Sequence, residues 1–179
     1  MKPVNVAVVG ATGAVGEAII EILESRDFPV DNLFPLASSR SAGKSLQFRG
    51  KRHTVQDVNE FDFSLTRIGL FSAGGDISAK YAPIAAEAGC VVIDNTSHFR
   101  REDDIPLVIP EVNPGAIADF KQRGIIANPN CSTIGMLVAS QPLYEAVGIE
   151  RINVATEQAL SGSGKVAIEE LAGQTARLL

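Results

Sequence analysis

Short apolar runs that alternate with helical segments are the feature that most constrains the fold of this chain. The first run, Val4–Val9, ends at Gly10 and precedes a stretch with apolar residues at helical spacing: Val15, Ile19, Ile22 and Leu23. Similar apolar runs recur at 33–39, 67–75, 90–97 and 125–128. Strands that are apolar on both faces are typical of parallel sheets covered by helices on both sides. The pattern therefore predicts an α/β fold with a doubly wound, mostly parallel, Rossmann-like sheet.

The composition excludes several classes of protein. The chain has 179 residues, of which 45% are hydrophobic and 21% are charged, and its net charge is −5. This charge argues against a general nucleic-acid surface, and no apolar run approaches the about 20 residues that a membrane span needs. No signal peptide is recognisable, and two cysteines do not make a disulfide framework. We expect a cytoplasmic protein with no metal, membrane or nucleic-acid partner.

Other elements are predicted from local patterns. We expect a polar hairpin over 45–57 that turns at Gly50-Lys51, a short strand over 105–113, and a short helix over 115–124. Asp76 is placed to cap the helix that follows the glycine turn at 74–75.

The texture of the sequence changes after Ala127. A helix from about Ser132 meets Pro142, a strand is expected over 150–160, and an amphipathic helix follows the glycine-rich stretch 161–165. No turn or cap comes after that last helix. We therefore predict a complete domain over 1–130 and, over 131–179, the beginning of a second, α+β catalytic and dimerisation domain whose remainder is absent.

Glycines at positions 10, 13 and 16 join the first strand to the first helix in a G-x-x-G-x-x-G pattern. Glycine lets the backbone turn tightly and approach a pyrophosphate, which binds the free N–H groups of the helix N-terminus. The pattern alone is weak, but its place at the first strand-to-helix turn favours dinucleotide binding. A second glycine turn makes Ser72 a candidate contact at the same sheet edge, although a tight turn without any ligand would need the same residues.

The turn after the second strand indicates which dinucleotide is bound. An acidic residue there would hold the ribose of NAD, whereas an arginine accommodates the 2′-phosphate of NADP. The stretch 38–44 has no acid, and Arg40 lies between the hydroxyls of Ser39 and Ser41. A guanidinium beside hydroxyl groups suits a dianion, so we favour NADP, with a solvated basic loop as the alternative.

Cys131 follows a strand and the turn 128–130, and Ser132-Thr133 open an apolar helix directly after it. The N–H groups and the dipole of a helix N-terminus stabilise a thiolate and lower the thiol pKa. Cys131 is therefore a candidate nucleophile, although a buried structural thiol would be the ordinary role of a free cysteine. Cys90 lies within an apolar strand and is predicted to be such a core thiol. A nucleophilic cysteine beside a nicotinamide suggests that an acyl thioester is reduced to an aldehyde, or the reverse.

Seven stretches in chain order closely resemble bacterial aspartate-semialdehyde dehydrogenase: GATGAVG, SSRSAGK, FSAGG, DNTSHFR, VIPEVNP, NPNCSTIGMLVA and QALSGSGK. The resemblance implies NADP-dependent reductive dephosphorylation of L-aspartyl-4-phosphate to L-aspartate-4-semialdehyde. That step leads to lysine, diaminopimelate, threonine and methionine. It also implies a homodimer or homotetramer in the full-length protein.

The resemblance also implies roles for individual residues. Cys131 would form the thioester, Gln158 would orient the substrate, and Asn130 would lie beside the thioester oxygen. Arg100 would hold the phosphate, and Asn95 is a further candidate for the phosphate and substrate site. Independently of the resemblance, the position of Arg100 after a buried strand places it near the ligand edge. The predicted cofactor contacts are Gly10, Thr12, Gly13, Ala14, Val15, Arg40, Ser41, Ser72, Ser161 and Gly162.

The resemblance also leaves alternatives open. Chains of this family are about twice as long, and their acid/base histidine and a substrate-binding arginine lie in the second half, so we expect this chain to be a fragment that is inactive alone. His98 is expected to be a surface or interface residue. N-acetyl-glutamyl-phosphate reductase performs the same chemistry, but it usually has Gly-Cys-Tyr where this chain has Asn130-Cys131-Ser132. A non-catalytic dinucleotide-binding module is the third possibility.

Overall fold

The computed structural model describes residues 2–157 and 159–178. Over these described ranges, eight strands and four α-helices follow one another. They are β1 (Val4–Val9), α1 (Ala14–Ser25), β2 (Val30–Ala37), β3 (Ser45–Phe48), β4 (Lys51–Thr54), β5 (Gln56–Asp57), β6 (Ile68–Phe71), α2 (Gly75–Glu87), β7 (Val91–Asp94), β8 (Ile125–Ala127), α3 (Cys131–Val147) and α4 (Lys165–Leu178).

Six strands form one parallel sheet in the order β5-β2-β1-β6-β7-β8. The strand order reverses between β1 and β6, and ligands of doubly wound sheets bind at such a switch point, outside the carboxyl ends of the strands. The predicted α/β fold with a doubly wound, parallel sheet is confirmed.

Alternate residues of β1 supply the two layers of the core. Val6 and Val8 pack with Ile20 and Leu23 of α1, whereas Ala7 and Val9 pack in a second cluster with Phe71 and Val92. Because successive side chains of a strand point to opposite faces, a run that is apolar throughout must be covered on both sides. This two-sided burial explains why the strand sequences do not alternate between apolar and polar residues.

The hairpin β3-β4 forms a separate antiparallel pair beside α1. Its turn lies at Arg49-Gly50, one residue before the predicted position, and both residues have positive φ (50° and 71°). Arg49 is fixed there because its guanidinium donates to the Asp27 carboxylate at 2.7 Å and its N–H donates to Glu24 Oε1 at 3.0 Å.

Several local predictions were wrong. Segment 105–113 forms only a single bridge, Leu107 to Ala127. The short helix predicted over 115–124, by contrast, is present as a 3-10 helix over Pro114–Gln122. Segment 149–157 contains no strand. The N-cap of α2 is Gly74, so Asp76 lies inside the first turn and caps nothing. In α1, Val15 and Ile22 are exposed, and the buried face is Gly16, Ile20 and Leu23.

Candidate active site

The glycine loop between β1 and α1 is built so that backbone can approach backbone. Gly10 has φ +91°, and a Cβ at this position would meet the backbone of Ser72 and Ala73 at 3.0 Å. A Cβ at Gly16 would stand 2.1 Å from the carbonyl oxygen of Gly10. The loops after β1 and β6 therefore touch at the switch point, and only glycine permits this contact.

The N-terminus of α1 is free to bind an anion. Its N-cap is Gly13, which has no side chain to occupy the N–H groups of the first turn. Thr12 is half-buried beside it, and Ser72 donates its hydroxyl to the carbonyl oxygen of Val9 at 3.2 Å. Unpaired N–H groups at the start of a helix suit a phosphate, so these residues fit a dinucleotide.

Arg40 lies in the turn that follows β2, beside the glycine loop in the order of the strands. The side chain is exposed, Ser41 is half-buried, and the turn is closed by the N–H of Ser41 on the carbonyl of Ser38 at 2.8 Å. Among the residues that the structure describes, no carboxylate pairs with Arg40. The guanidinium is thus available to an external anion at this edge.

Cys131 lies at the N-terminus of α3, as predicted; it is the first residue of the helix, one position before the predicted start at about Ser132, and it is exposed. Asn130 is the N-cap: its Oδ1 accepts a hydrogen bond from the N–H of Ser132 at 3.0 Å and lies 4.0 Å from the Cys131 sulfur. The cap uses the amide oxygen of Asn130, so its N–H groups remain free to donate. The sulfur, the first turn of α3 and an amide donor are therefore adjacent.

Arg100 is held by two backbone carbonyls from neighbouring strand ends. Its Nε donates to the carbonyl of Asn128 at 2.9 Å and its Nη2 to the carbonyl of Asn95 at 3.2 Å. The side chains of Asn95 and Asn128 are joined by a hydrogen bond of 2.5 Å. A guanidinium has five N–H donors, so three remain for a ligand once these two are used.

A cavity of about 420 Å³ lies between the start of α1, Arg100 and Cys131. Its walls come from the start of α1, from the loop after β7, from the start of α3 and from the turn before α4. The lining residues are Ala14, Val15, Ala18, Asn95, Arg100, Pro129, Asn130, Cys131 and Gly162. Six of the predicted site residues other than Cys131 thus share one cavity with it: Ala14, Val15, Asn95, Arg100, Asn130 and Gly162.

Other predicted residues do not line this cavity. Gly10, Thr12, Gly13 and Ser72 form the adjoining glycine loop and the facing turn, and Arg40 and Ser41 lie beyond them after β2. Gln158 lies outside the described residues. The backbone of Ser161 belongs to the 3-10 turn Leu160–Ser163, and its side chain is outside the described part. The roles assigned to all these residues stay predictions.

The remaining candidate groups behave as surface and core residues. His98 is exposed and packs edge-on against the ring of Phe99, as expected of a surface histidine. Cys90 is 1% exposed, and burial raises the pKa of its thiol, a change partly offset by the Thr66 hydroxyl. Its predicted place in the core is confirmed.

Asn128 was missed from the sequence, although it contacts both Arg100 and Asn95. The signal was available, because Asn128 directly follows β8 at the carboxyl edge, as Asn95 follows β7.

Over the described ranges, no group of three or more histidine, cysteine or acidic side chains could hold a metal ion. No helix in the same ranges is long and apolar enough to cross a membrane.

Comparison with known proteins tests the resemblance. Residues 5–120 match the family described as semialdehyde dehydrogenase, NAD binding domain, and residues 141–179 match its dimerisation domain. Aspartate-semialdehyde dehydrogenase 2 of Vibrio cholerae is 69% identical over 175 residues, which are 98% of this chain and 52% of that protein. The chain therefore spans about half the length of this relative.

Solved structures give the same result. Aspartate semialdehyde dehydrogenase II of Vibrio cholerae, complexed with ASA, superposes with a TM-score of 0.97 at 67% identity over 99% of this chain and 53% of that one. The enzyme of Candida albicans with NADP superposes with a TM-score of 0.71 at 30% identity over 83% and 48% of the two chains. The resemblance to aspartate-semialdehyde dehydrogenase is confirmed, and the chain belongs to the semialdehyde dehydrogenase family.

Proposed function

We propose that this chain serves the NADP-dependent reductive dephosphorylation of L-aspartyl-4-phosphate to L-aspartate-4-semialdehyde, with Cys131 as the nucleophile. The observation that carries the proposal is the cavity of about 420 Å³ in which the start of α1, the guanidinium of Arg100 and the sulfur of Cys131 meet. Membership of the family and the relatives named above support the choice of substrate.

Cys131 and Arg100 would act in the first step. The thiolate attacks the acyl carbon, the bond from that carbon to the phosphate oxygen breaks, and inorganic phosphate leaves while a thioester forms on Cys131. The three N–H donors of Arg100 that the carbonyls leave free would hold the phosphate. The amide N–H groups of Asn130 would donate to the carbonyl oxygen, on which negative charge develops. Gln158 would orient the substrate.

The second step needs a hydride, which a bound nicotinamide dinucleotide supplies to the thioester carbonyl. The N-terminus of α1 would hold the pyrophosphate, because no side chain caps the N–H groups of its first turn, and the glycine loop would let the backbone approach it. Arg40 and Ser41 would hold the 2′-phosphate, while Ser72, Ser161 and Gly162 would contact the rest of the cofactor. Cleavage of the carbon–sulfur bond then releases the aldehyde and returns the thiolate of Cys131.

Arg40 offers a test of the cofactor assignment. We expect Arg40→Ala to weaken NADPH binding at least about tenfold, since one charge-assisted contact is lost, and to leave NADH binding unchanged. Lys44→Ala is the matched control, because it removes a cation from the same turn. The affinities of each variant for NADPH and NADH are measured by titrations that follow the fluorescence of the bound reduced nucleotide. Equal effects of Arg40→Ala on the two nucleotides would reject Arg40 as the 2′-phosphate contact.

Acyl trapping tests the nucleophile. We expect mass spectrometry after incubation with aspartyl phosphate to find one acyl adduct, on Cys131, with Cys90 unmodified as an internal control. Cys131→Ser should abolish the adduct and leave NADPH binding intact. Binding of NADPH without any adduct would instead indicate a non-catalytic module. An adduct formed only from N-acetyl-glutamyl phosphate would indicate the reductase alternative.

We infer that the whole protein forms a homodimer or homotetramer and acts in the cytoplasm in the synthesis of lysine, threonine and methionine. The match of residues 141–179 to a dimerisation domain supports the assembly. The domain boundary between residues 130 and 131 is likewise a proposal, supported by the loss of buried residues after that point. Analytical ultracentrifugation of the protein would measure the assembly, and a monomer at all concentrations would contradict it.

A further inference from the structure

The carboxylate of Asp94, at the end of β7, is fully buried. Its Oδ1 accepts hydrogen bonds from the Ser78 hydroxyl at 2.7 Å and from the N–H of Thr96 at 3.2 Å, and its Oδ2 accepts from the Thr96 hydroxyl at 2.7 Å. Among the described residues no cation pairs with it. A buried carboxylate without a cation is tolerated only where hydrogen bonds satisfy it, so these three contacts fix its position.

Asp94 is also connected to the loop after β8. Its backbone carbonyl accepts the N–H of Asn128 at 2.8 Å, while the next residue, Asn95, bonds the Asn128 side chain. The carbonyls of Asn95 and Asn128 are the two acceptors that hold the guanidinium of Arg100. The buried carboxylate and the guanidinium of Arg100 therefore belong to one hydrogen-bonded network.

Thr96 is the part of this network that controls the path of the loop. Its hydroxyl donates to Asp94 and accepts the N–H of His98 at 3.3 Å, so it fixes the turn that leads from β7 to Arg100. Ser78 ties the same carboxylate to α2. Without the Thr96 hydroxyl, only the N–H of Thr96 would still join the turn to the buried carboxylate, and the backbone that leads from Asn95 to Arg100 would be held less firmly.

We propose that the cluster Ser78–Asp94–Thr96 positions Arg100 for anion binding, with Thr96 as the positioning residue. The phosphate as the anion rests on the function proposed above, whereas the positioning rests on the hydrogen bonds alone. A positioned guanidinium binds a phosphate more tightly because its rotamers are restricted before the ligand arrives. Loss of the hydroxyl should therefore weaken phosphate binding about tenfold, as expected for one lost hydrogen bond in a charged network.

The test compares Thr96→Val, which has nearly the same shape but no hydroxyl, with Thr96→Ser, which keeps the hydroxyl. The readout is the Arg100 Nε–H resonance in nitrogen-15 NMR, assigned through its loss in Arg100→Lys, together with its shift on titration with inorganic phosphate. We expect Thr96→Ser to retain slow exchange of this proton and the phosphate affinity. Thr96→Val should speed the exchange and weaken the affinity, each about tenfold.

Unchanged exchange of the Arg100 Nε–H in Thr96→Val would overturn the proposal. If Thr96→Val fails to fold, Ser78→Ala answers the same question, since it removes a different donor to Asp94 and should also speed the exchange. If the unsubstituted protein binds no phosphate, and Thr96→Val still speeds the exchange of the Arg100 Nε–H, the positioning is supported and the phosphate assignment is rejected. A general loss of stability would also speed the hydrogen exchange of the strand amides. A positioning role would speed the exchange of the Arg100 Nε–H and leave the strand amides unchanged.

Discussion

The parallel sheet buries its apolar residues, whereas the segment that follows Asn130 leaves many of its apolar residues exposed. In the sheet, Val6, Leu36 and Val92 are fully buried, whereas neither α3 nor α4 contains a buried residue over its described side chains. In α3, Leu143 is 62% exposed and Val147 is 84% exposed. Apolar composition alone therefore does not make a core: the sheet buries its apolar side chains, whereas the described side chains of the two helices after it are half-buried or exposed.

Removal of a leucine from each region should show the largest contrast. We expect Leu36→Ala to lower the free energy of unfolding by about 2–5 kcal/mol, because it leaves a cavity between close-packed neighbours. Leu143→Ala makes the same chemical change at an exposed position and should stay within about 0.5 kcal/mol. Urea denaturation followed by circular dichroism measures both. Similar losses for the two variants would show that α3 is as well packed as the sheet.

Glycine-to-alanine substitutions should act with opposite signs in the two regions. Gly16→Ala places a Cβ 2.1 Å from the Gly10 carbonyl oxygen, and we expect it to cost about 1–3 kcal/mol and to weaken NADPH binding. Gly173→Ala places a Cβ in open space within α4, and we expect a gain of about 0.5–1 kcal/mol in the stability of that helix.

Urea denaturation measures the loss in Gly16→Ala, and helix content from far-ultraviolet circular dichroism measures the gain in Gly173→Ala. A Gly16→Ala variant that keeps both its stability and its NADPH affinity would contradict the close backbone approach at the glycine loop. An unchanged helix content in Gly173→Ala would argue that α4 is already held by contacts other than its own backbone.

The helix cap at the start of α3 sharpens the comparison further. Asn130→Ala removes the side-chain bond to the N–H of Ser132 and should destabilise α3 by about 1 kcal/mol. Asn130→Asp is the control, because aspartate is an equally good N-cap. Amide hydrogen exchange should detect faster exchange in α3 but not in β1 or β6 if the regions unfold separately. Faster exchange in all of them would mean that sheet and helix unfold together.

The smallest expected effect lies within the sheet domain and depends on pH. The Asp62 carboxylate accepts hydrogen bonds from Ser64, which lower the pKa of Asp62 in the folded state. This contribution to stability is therefore fully present above the pKa of the unfolded chain and is lost as the pH falls through the lower folded value. Thermal unfolding of Asp62→Asn, which keeps an acceptor, should show a weaker decline in acid than the unsubstituted protein. Identical pH profiles would assign the cap no role.

Prediction from the sequence succeeded where one local pattern determined the result. The runs of β-branched residues identified the buried strands, and the glycines of the first turn identified the tight turn from β1 to α1, because both depend on short-range sterics and burial. The periodicity of α1 predicted the helix but not its buried face, since Val15 faces the site cavity. Segment 105–113 was predicted as a strand from its composition, yet it pairs only through Leu107.

The site was predictable at the level of positions but not of partners. Cys131 at a helix start and Arg100 after a strand could be expected, because the carboxyl ends of parallel strands share one edge. The contacts of Arg100 with the carbonyls of Asn95 and Asn128 could not be predicted, since they depend on the order and register of β7 and β8. Hydrogen bonds between residues distant in sequence leave no local pattern.

The register of β7 with β8 determines how Arg100 and Cys131 are spaced at the edge of the sheet. Asp94 pairs with Ala127, so Asn95 and Asn128 stand level, one step beyond the last paired residues. Arg100 comes five residues after Asn95, and Cys131 three residues after Asn128. One inserted residue in either strand would shift the loop after that strand by about 3.3 Å relative to the loop after the other strand. This shift is as long as a hydrogen bond. The pairing of β7 with β8 thus sets the distance between Arg100 and the sulfur of Cys131, and single-residue insertions there should be tolerated far less than in the hairpin.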